Sequence, residues 1–209
     1  MKKIFFLFAI LSIAPVMLNA ASPDSADILL KILESNKHVR TMQAPYTHHR
    51  ISGKNVSDRK GNFYYVANTA QLAMRYTLPE GRYFVVSDNH LYNKIGVIPM
   101  HFNTKRSSLM RLFGNCMVWA VSGEVQKIFE NNNVVMSVAV DEADNSYVIE
   151  MTARSGFNKG ISRIVLKYDR TTCLIFHLEV DEVTGVDHLF RIGRQPVLDQ
   201  PIDNSHFEI

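Results

Sequence analysis

The sequence predicts a mainly β chain (α+β) in which one long antiparallel sheet dominates and two short helical segments accompany it. Three observations predict this. Apolar and polar residues alternate in run after run, the signature of a half-buried strand. Turn-forming clusters separate the runs at short intervals. Helical spacing is confined to one segment near the start and one interval in the middle. The chain has 209 residues, 46% of them apolar. That suits one domain with a real core and excludes wholesale disorder.

The first twenty residues read as a targeting segment. Lys2 and Lys3 precede an apolar run from Ile4 to Leu18, and a small residue, Ala20, follows. A basic start, a short apolar stretch and a small residue make a secretory signal peptide, with cleavage expected after Ala20. The run contains Ser12 and Pro15 and is shorter than the roughly 20 apolar residues of a membrane-spanning helix. Lys2 and Lys3 carry two of the three surplus positive charges. Residues 21–209 are therefore nearly neutral and form one exported domain, and no nucleic-acid partner is expected.

The elements then follow in order. Asp24, Ser25 and Asp27 open an amphipathic helix expected from Ser25 to Val39, with Ile28, Leu29, Ile32 and Leu33 at helical spacing. After Pro45 the period becomes two. Leu72, Met74, Tyr76 and Leu78 are placed on one strand face. Tyr147, Ile149 and Met151 share another, as do Ile164, Leu166 and Tyr168. Leu174, Phe176, Leu178 and Val180 form a further set, opposite Cys173, Ile175, His177 and Glu179. Turns are expected at Pro79–Gly81, Ser87–Asn89, Asp144–Asn145, Asp169–Arg170 and Thr184–Gly185. Between Thr104 and Ala120 alternation stops, and a short helix ending near Gly114 is expected. Such a sheet with so little helix makes a sandwich, a closed barrel or an open barrel with a helical lid. Nine Met, twelve Phe and eight Tyr suit either a cavity for variable apolar shapes or a filled core.

The order of these pieces resembles the outer-membrane lipoprotein carrier family, the LolA-like proteins. The resemblance is carried by the amphipathic helix and by Gly61-Asn62-Phe63-Tyr64-Tyr65. Met74-Arg75-Tyr76-Thr77-Leu78-Pro79 and the hairpin Tyr83 to Tyr92 continue it, then Tyr147 to Met151, Ile164 to Asp169, and a closing strand over Ile202 to Ile209. The family's Lys-Arg-Pro element is matched here by Ala67-Asn68-Thr69, and the lid-closing role of that arginine passes to no residue, Arg75 included. The resemblance implies an unclosed antiparallel β-barrel of about eleven strands with a helical lid. It implies a periplasmic, monomeric carrier that shields the acyl chains of lipoproteins. Its donor would be an inner-membrane ABC-type releasing complex, and its destination an outer-membrane acceptor. Another acylated cargo, such as a glycolipid or polyene-type product, or a lipoprotein-sensing role are the alternatives. The expected cavity lining is Phe63, Tyr65, Leu72, Met74, Tyr76, Phe84, Val86, Leu91, Leu109, Met110, Leu112, Phe113 and Trp119.

Enzymatic readings find little support. Neither a metal-binding nor a phosphate-binding motif is present, and no cofactor is called for. His48 and His49 would point to opposite faces of a strand, so they cannot share a metal. Gly156 to Gly160 reads as a hairpin loop. Ser87, Asp88 and His90 have the residue types of a catalytic triad but fall in one tight turn. Cys116 and Cys173 are either a disulfide or two buried small apolar residues. Lys105, Arg106 and Arg111 are either solvated charge beside a lid or a docking patch for an acidic surface.

Overall fold

The computed structural model describes residues 23–94, 97–106, 108–130, 134–154 and 160–209. The signal peptide expected over residues 1–20 lies outside them, as does the loop over Gly156 to Gly160 apart from its last residue. Helix α1 spans Pro23–Asn36. Strands β1 (Thr41–Ser52), β2 (Asn55–Val66), β3 (Gln71–Leu78), β4 (Glu80–Ser87), β5 (His90–Lys94) and β6 (Met100–Asn103) form one meander. Helices α2 (Ser108–Ser122) and α3 (Gln126–Glu130) follow. A second meander comprises β7 (Val134–Asp141), β8 (Ser146–Ala153), β9 (Ile161–Asp169), β10 (Ile175–Glu182) and β11 (Val186–Ile192). The short β12 (Val197–Leu198) ends the sheet.

All pairings are antiparallel, and β1 and β11 join the two meanders. The order is β6-β5-β4-β3-β2-β1-β11-β10-β9-β8-β7, with β12 on β1, so β6 and β7 are free edges. The sheet curls but does not close. The expectation of about eleven strands stands, with β12 as a twelfth.

Alternation decides the inner face. Phe63 and Tyr65 on β2, Leu72, Met74 and Tyr76 on β3, Ile149 and Met151 on β8, and Leu166 and Tyr168 on β9 are all buried. They form one core with α1 and α2. Leu29 and Ile32 bring α1 into it. The Asn36 amide nitrogen donates to the carbonyls of Ile32 and Cys173, each at 2.8 Å. That bond fastens the end of α1, which stops short of the expected Val39.

Five further expectations are corrected. Strand β1 starts at Thr41 and runs through Pro45. The proline is tolerated because β12 leaves β1 after Gln43 and β11 joins only at Tyr46, so it sits at a gap in the ladder. Leu78 is exposed, since the β3–β4 register shifts between Arg75 and Thr77. A second shift, between Ile175 and His177, sends Ile175 into the core. Phe176 instead lies 3.7 Å from the Arg194 guanidinium, which covers its ring.

Helix α2 does not stop at Gly114 but continues to Ser122. A Cβ at Gly114 would make an ordinary contact with a Val86 methyl, at 3.5 Å. The glycine sits within the helix, where it faces β4 across that contact, and does not mark a helix end. The expected closing strand over Ile202 to Ile209 is instead an irregular tail with one 3₁₀ turn, Asn204–His206. It lies across the convex face, where Phe207 packs with Ala73 and Val85. Arg75 Nε donates to the His206 carbonyl at 2.8 Å, and its Nη2 bonds the Glu208 carbonyl. The His206 ring stacks on Tyr64 with centroids 3.8 Å apart.

Candidate functional site: the concave face and its helix

The concave face gathers most of the residues expected there. Phe63, Tyr65, Leu72, Met74, Tyr76, Phe84, Val86 and Leu91 are buried in the single core. Leu112, Phe113 and Trp119 of α2 are half-buried and pack against it. Leu109 and Met110 lie in the first turn of α2, and their side chains are outside the description. The Phe84 and Phe113 rings meet edge to face at 5.6 Å.

The helix occupies the barrel as a plug. Cys116, Met117, Ala120 and Val121 turn inward and are buried. Tyr168, fully buried, donates its hydroxyl to the Ala120 carbonyl at 2.6 Å. Among the described residues α2 fills the concave face, and the cavity bounded there by Leu112, Ile128, Val134, Met151 and Ile164 holds about 20 Å³. That is room for a water molecule, not an acyl chain. Larger hollows of about 600, 540 and 390 Å³ are grooves lined mainly by polar side chains such as Asp58, Lys60, Asp88 and Lys167.

One part of the interior is polar, which the alternation pattern did not reveal. His48 on β1 is fully buried. Its Nδ1 lies 2.9 Å from the Tyr76 hydroxyl and its Nε2 lies 3.0 Å from His188 Nδ1. His188 Nε2 lies 3.1 Å from Glu182 Oε1. A single proton order satisfies the row. Tyr76 donates to His48, His48 to His188, and His188 to Glu182, with both rings neutral. Burial, then the neighbouring His188, pushes the His48 pKa down to about 2. Phe190 stacks on His48 at 4.1 Å, and Phe113 of α2 stands edge-on to His188 at 6.1 Å. Buried polar residues in a strand look in sequence like solvent-facing ones, so only a partner list identifies them.

The remaining motifs resolve simply. His49 points away from His48 and pairs with Asp58 at 2.5 Å. Ser87, Asp88 and His90 form the β4–β5 hairpin turn, where Asp88 and Asn89 have φ of 49° and 63°. The Ser87 hydroxyl is held by Gln71 and Asp88. Cys116 and Cys173 are free, buried thiols rather than a disulfide, and burial pushes the Cys116 pKa up to about 12. Among the described residues, no helix is long and apolar enough to cross a membrane.

No family model and no curated protein matches the sequence. Solved structures do. MucB superposes with a TM-score of 0.51 at 13% identity, over 90% of this chain and 63% of that one. A putative outer membrane lipoprotein-sorting protein domain from Vibrio parahaemolyticus gives 0.47 at 10% identity, over 87% and 95%. A LolA superfamily protein from Nitrosomonas europaea gives 0.40 at 11%, over 87% and 97%. This chain thus spans less than two thirds of MucB. At such identities the likeness is one of fold alone, and in this chain that fold is an unclosed antiparallel barrel that holds a helix against its concave face.

Proposed function

We propose that this protein is a periplasmic carrier, exported by its signal peptide, that shields acyl chains in the space now filled by α2. One observation carries the reading. The concave face is lined by Phe63, Leu72, Met74 and Phe84, and α2, which plugs it together with α1 and α3, lies on the connection between the two edge strands β6 and β7. Withdrawal of α2 exposes a continuous apolar trough of large or unbranched side chains, which adapt to chains of different shape.

The energetics explain why such a trough is needed. Each buried methylene is worth about 0.8 kcal/mol, so three chains of about sixteen carbons represent roughly 35 kcal/mol. Spontaneous escape from a membrane is then negligible, and a carrier has to substitute a comparable apolar surface. A helix that re-enters the trough competes with the cargo and so favours release. In this reading the cargo is an acylated lipoprotein, delivered from an inner-membrane ABC-type complex to an outer-membrane acceptor. Leu109 and Met110 join Leu112, Phe113 and Trp119 as the helix residues that give way.

Mass spectrometry of the protein purified from its own periplasm, after in-cell crosslinking, tests the proposal. An acylated polypeptide bound to the trough is the expected result. Recovery of protein free of any acylated species, with unchanged lipoprotein sorting in a deletion strain, would sink it.

A further inference from the structure

Beside the His48–His188 row stands a cation without an anion. Arg59 on β2 is 8% exposed, and its Nη1 has no hydrogen-bond partner among the described residues. The neighbouring Tyr46 hydroxyl is likewise buried and unpartnered. The Tyr46 and Tyr76 rings meet edge to face at 5.5 Å, so the cluster is contiguous. Arg59 meets the Tyr76 hydroxyl on one side, and the other side chains acting on it, Arg82 and Arg50, are both cations. The nearby carboxylate, Glu182, is taken by His188.

A buried guanidinium with an unmade hydrogen bond is costly, and surrounding it with further positive charge makes it more so. Such a group is retained where something else completes it. An oxyanion does so: guanidinium binds carboxylate or phosphate oxygens through paired N–H donors, and the free Tyr46 hydroxyl adds another donor. Phe113 of α2 lies edge-on to His188, so the helix that covers the trough also covers this cluster.

We infer that Arg59 and Tyr46, backed by Tyr76 and the His48–His188 row, form a seat for the anionic oxygen group at the polar end of an acyl ligand. The inference rests on the reading that acyl chains enter when α2 withdraws, and it adds a second class of guest, an anionic lipid, beside the acylated lipoprotein, whose ester- and amide-linked chains carry no anion. Chains lie along Met74 and Phe84, and the carboxylate of a fatty acid or the phosphate of a phospholipid meets Arg59.

Equilibrium dialysis of residues 21–209 against two matched pairs tests this. The pairs are oleate with methyl oleate, and dioleoylphosphatidylglycerol with dioleoylglycerol. The anionic member of at least one pair is expected to bind tenfold or more tightly than its neutral partner. A preference confined to the first pair identifies a carboxylate, and one confined to the second a phosphate. Arg59→Gln is expected to bring the ratio near one and leave neutral-ligand affinity unchanged. Tyr46→Phe is expected to lower it several-fold, and decides the matter should Arg59→Gln not fold. Equal binding within both pairs, or a preference that survives the substitutions, overturns the seat and leaves the acyl-carrier reading standing. Absence of binding by all four ligands likewise overturns the seat, while the lipoprotein reading stands or falls by the crosslinking experiment.

Discussion

His48 is the residue where burial and chemistry conflict most. It is enclosed by Tyr76, His188 and Phe190, with Arg59 close by on β2 and Phe113 of α2 above His188. Burial lowers the pKa of His188 too, despite the opposing pull of Glu182. Both rings therefore stay neutral in the folded chain when the unfolded chain, with histidine near 6.5, takes up protons. The fold loses stability as pH falls below about 6.5, by about 1.4 kcal/mol per pH unit for each ring kept neutral. For His48 the window extends down to about pH 2. Denaturant titrations at pH 7 and pH 5 are expected to show this loss, and His48→Gln is expected to flatten it. A slope unchanged by the substitution would show that other groups set the acid sensitivity.

At the scale of elements, the strands were legible and the central helix was not, for opposite reasons. Strands with one buried face print that face as alternation, as Leu72, Met74 and Tyr76 or Ile164, Leu166 and Tyr168 do. A plug inside a barrel is apolar on several sides, so α2 shows no clean period. Gly114 then reads as a stop, although the helix runs eight residues further, to Ser122. The register shifts at Arg75/Thr77 and Ile175/His177 were also hidden, because a bulge is set by pairing and not by one strand's composition. The contact at Gly114 provides a direct test of the lid. Val86 and Gly114 are close enough for a crosslink. Gly114→Cys with Val86→Cys, in a chain with Cys116 and Cys173 replaced by Ser, is expected to lose cargo binding on oxidation and regain it on reduction. Cargo binding by the locked protein would place the ligand elsewhere.

On the whole-molecule scale, the sheet is covered on both faces. The helices fill the concave side, and the C-terminal tail shields Ala73 and Val85 on the convex side. The family resemblance implied that the tail ends in a closing strand over Ile202 to Ile209. No free ladder position awaits it there: β3 already pairs with β2 and β4. The tail is held by Phe207 and by the Arg75 guanidinium on the backbone. Phe207→Ala is expected to cost about 3 kcal/mol, and Arg75→Ala about 2 kcal/mol through its charged hydrogen bonds. Both are read from denaturant midpoints. If the two losses proved negligible, the tail would be an ornament on the sheet and not part of its support.

The missing β6–β7 pairing has a mechanical consequence. A closed barrel has a girth fixed by its strand count and stagger, and widening it means tearing a ladder. A tube slit along its length widens by flexing, and every rung between neighbouring strands survives. Any widening then strains only the helical strap across the slit, and the sheet springs back to its former girth when the strain is released.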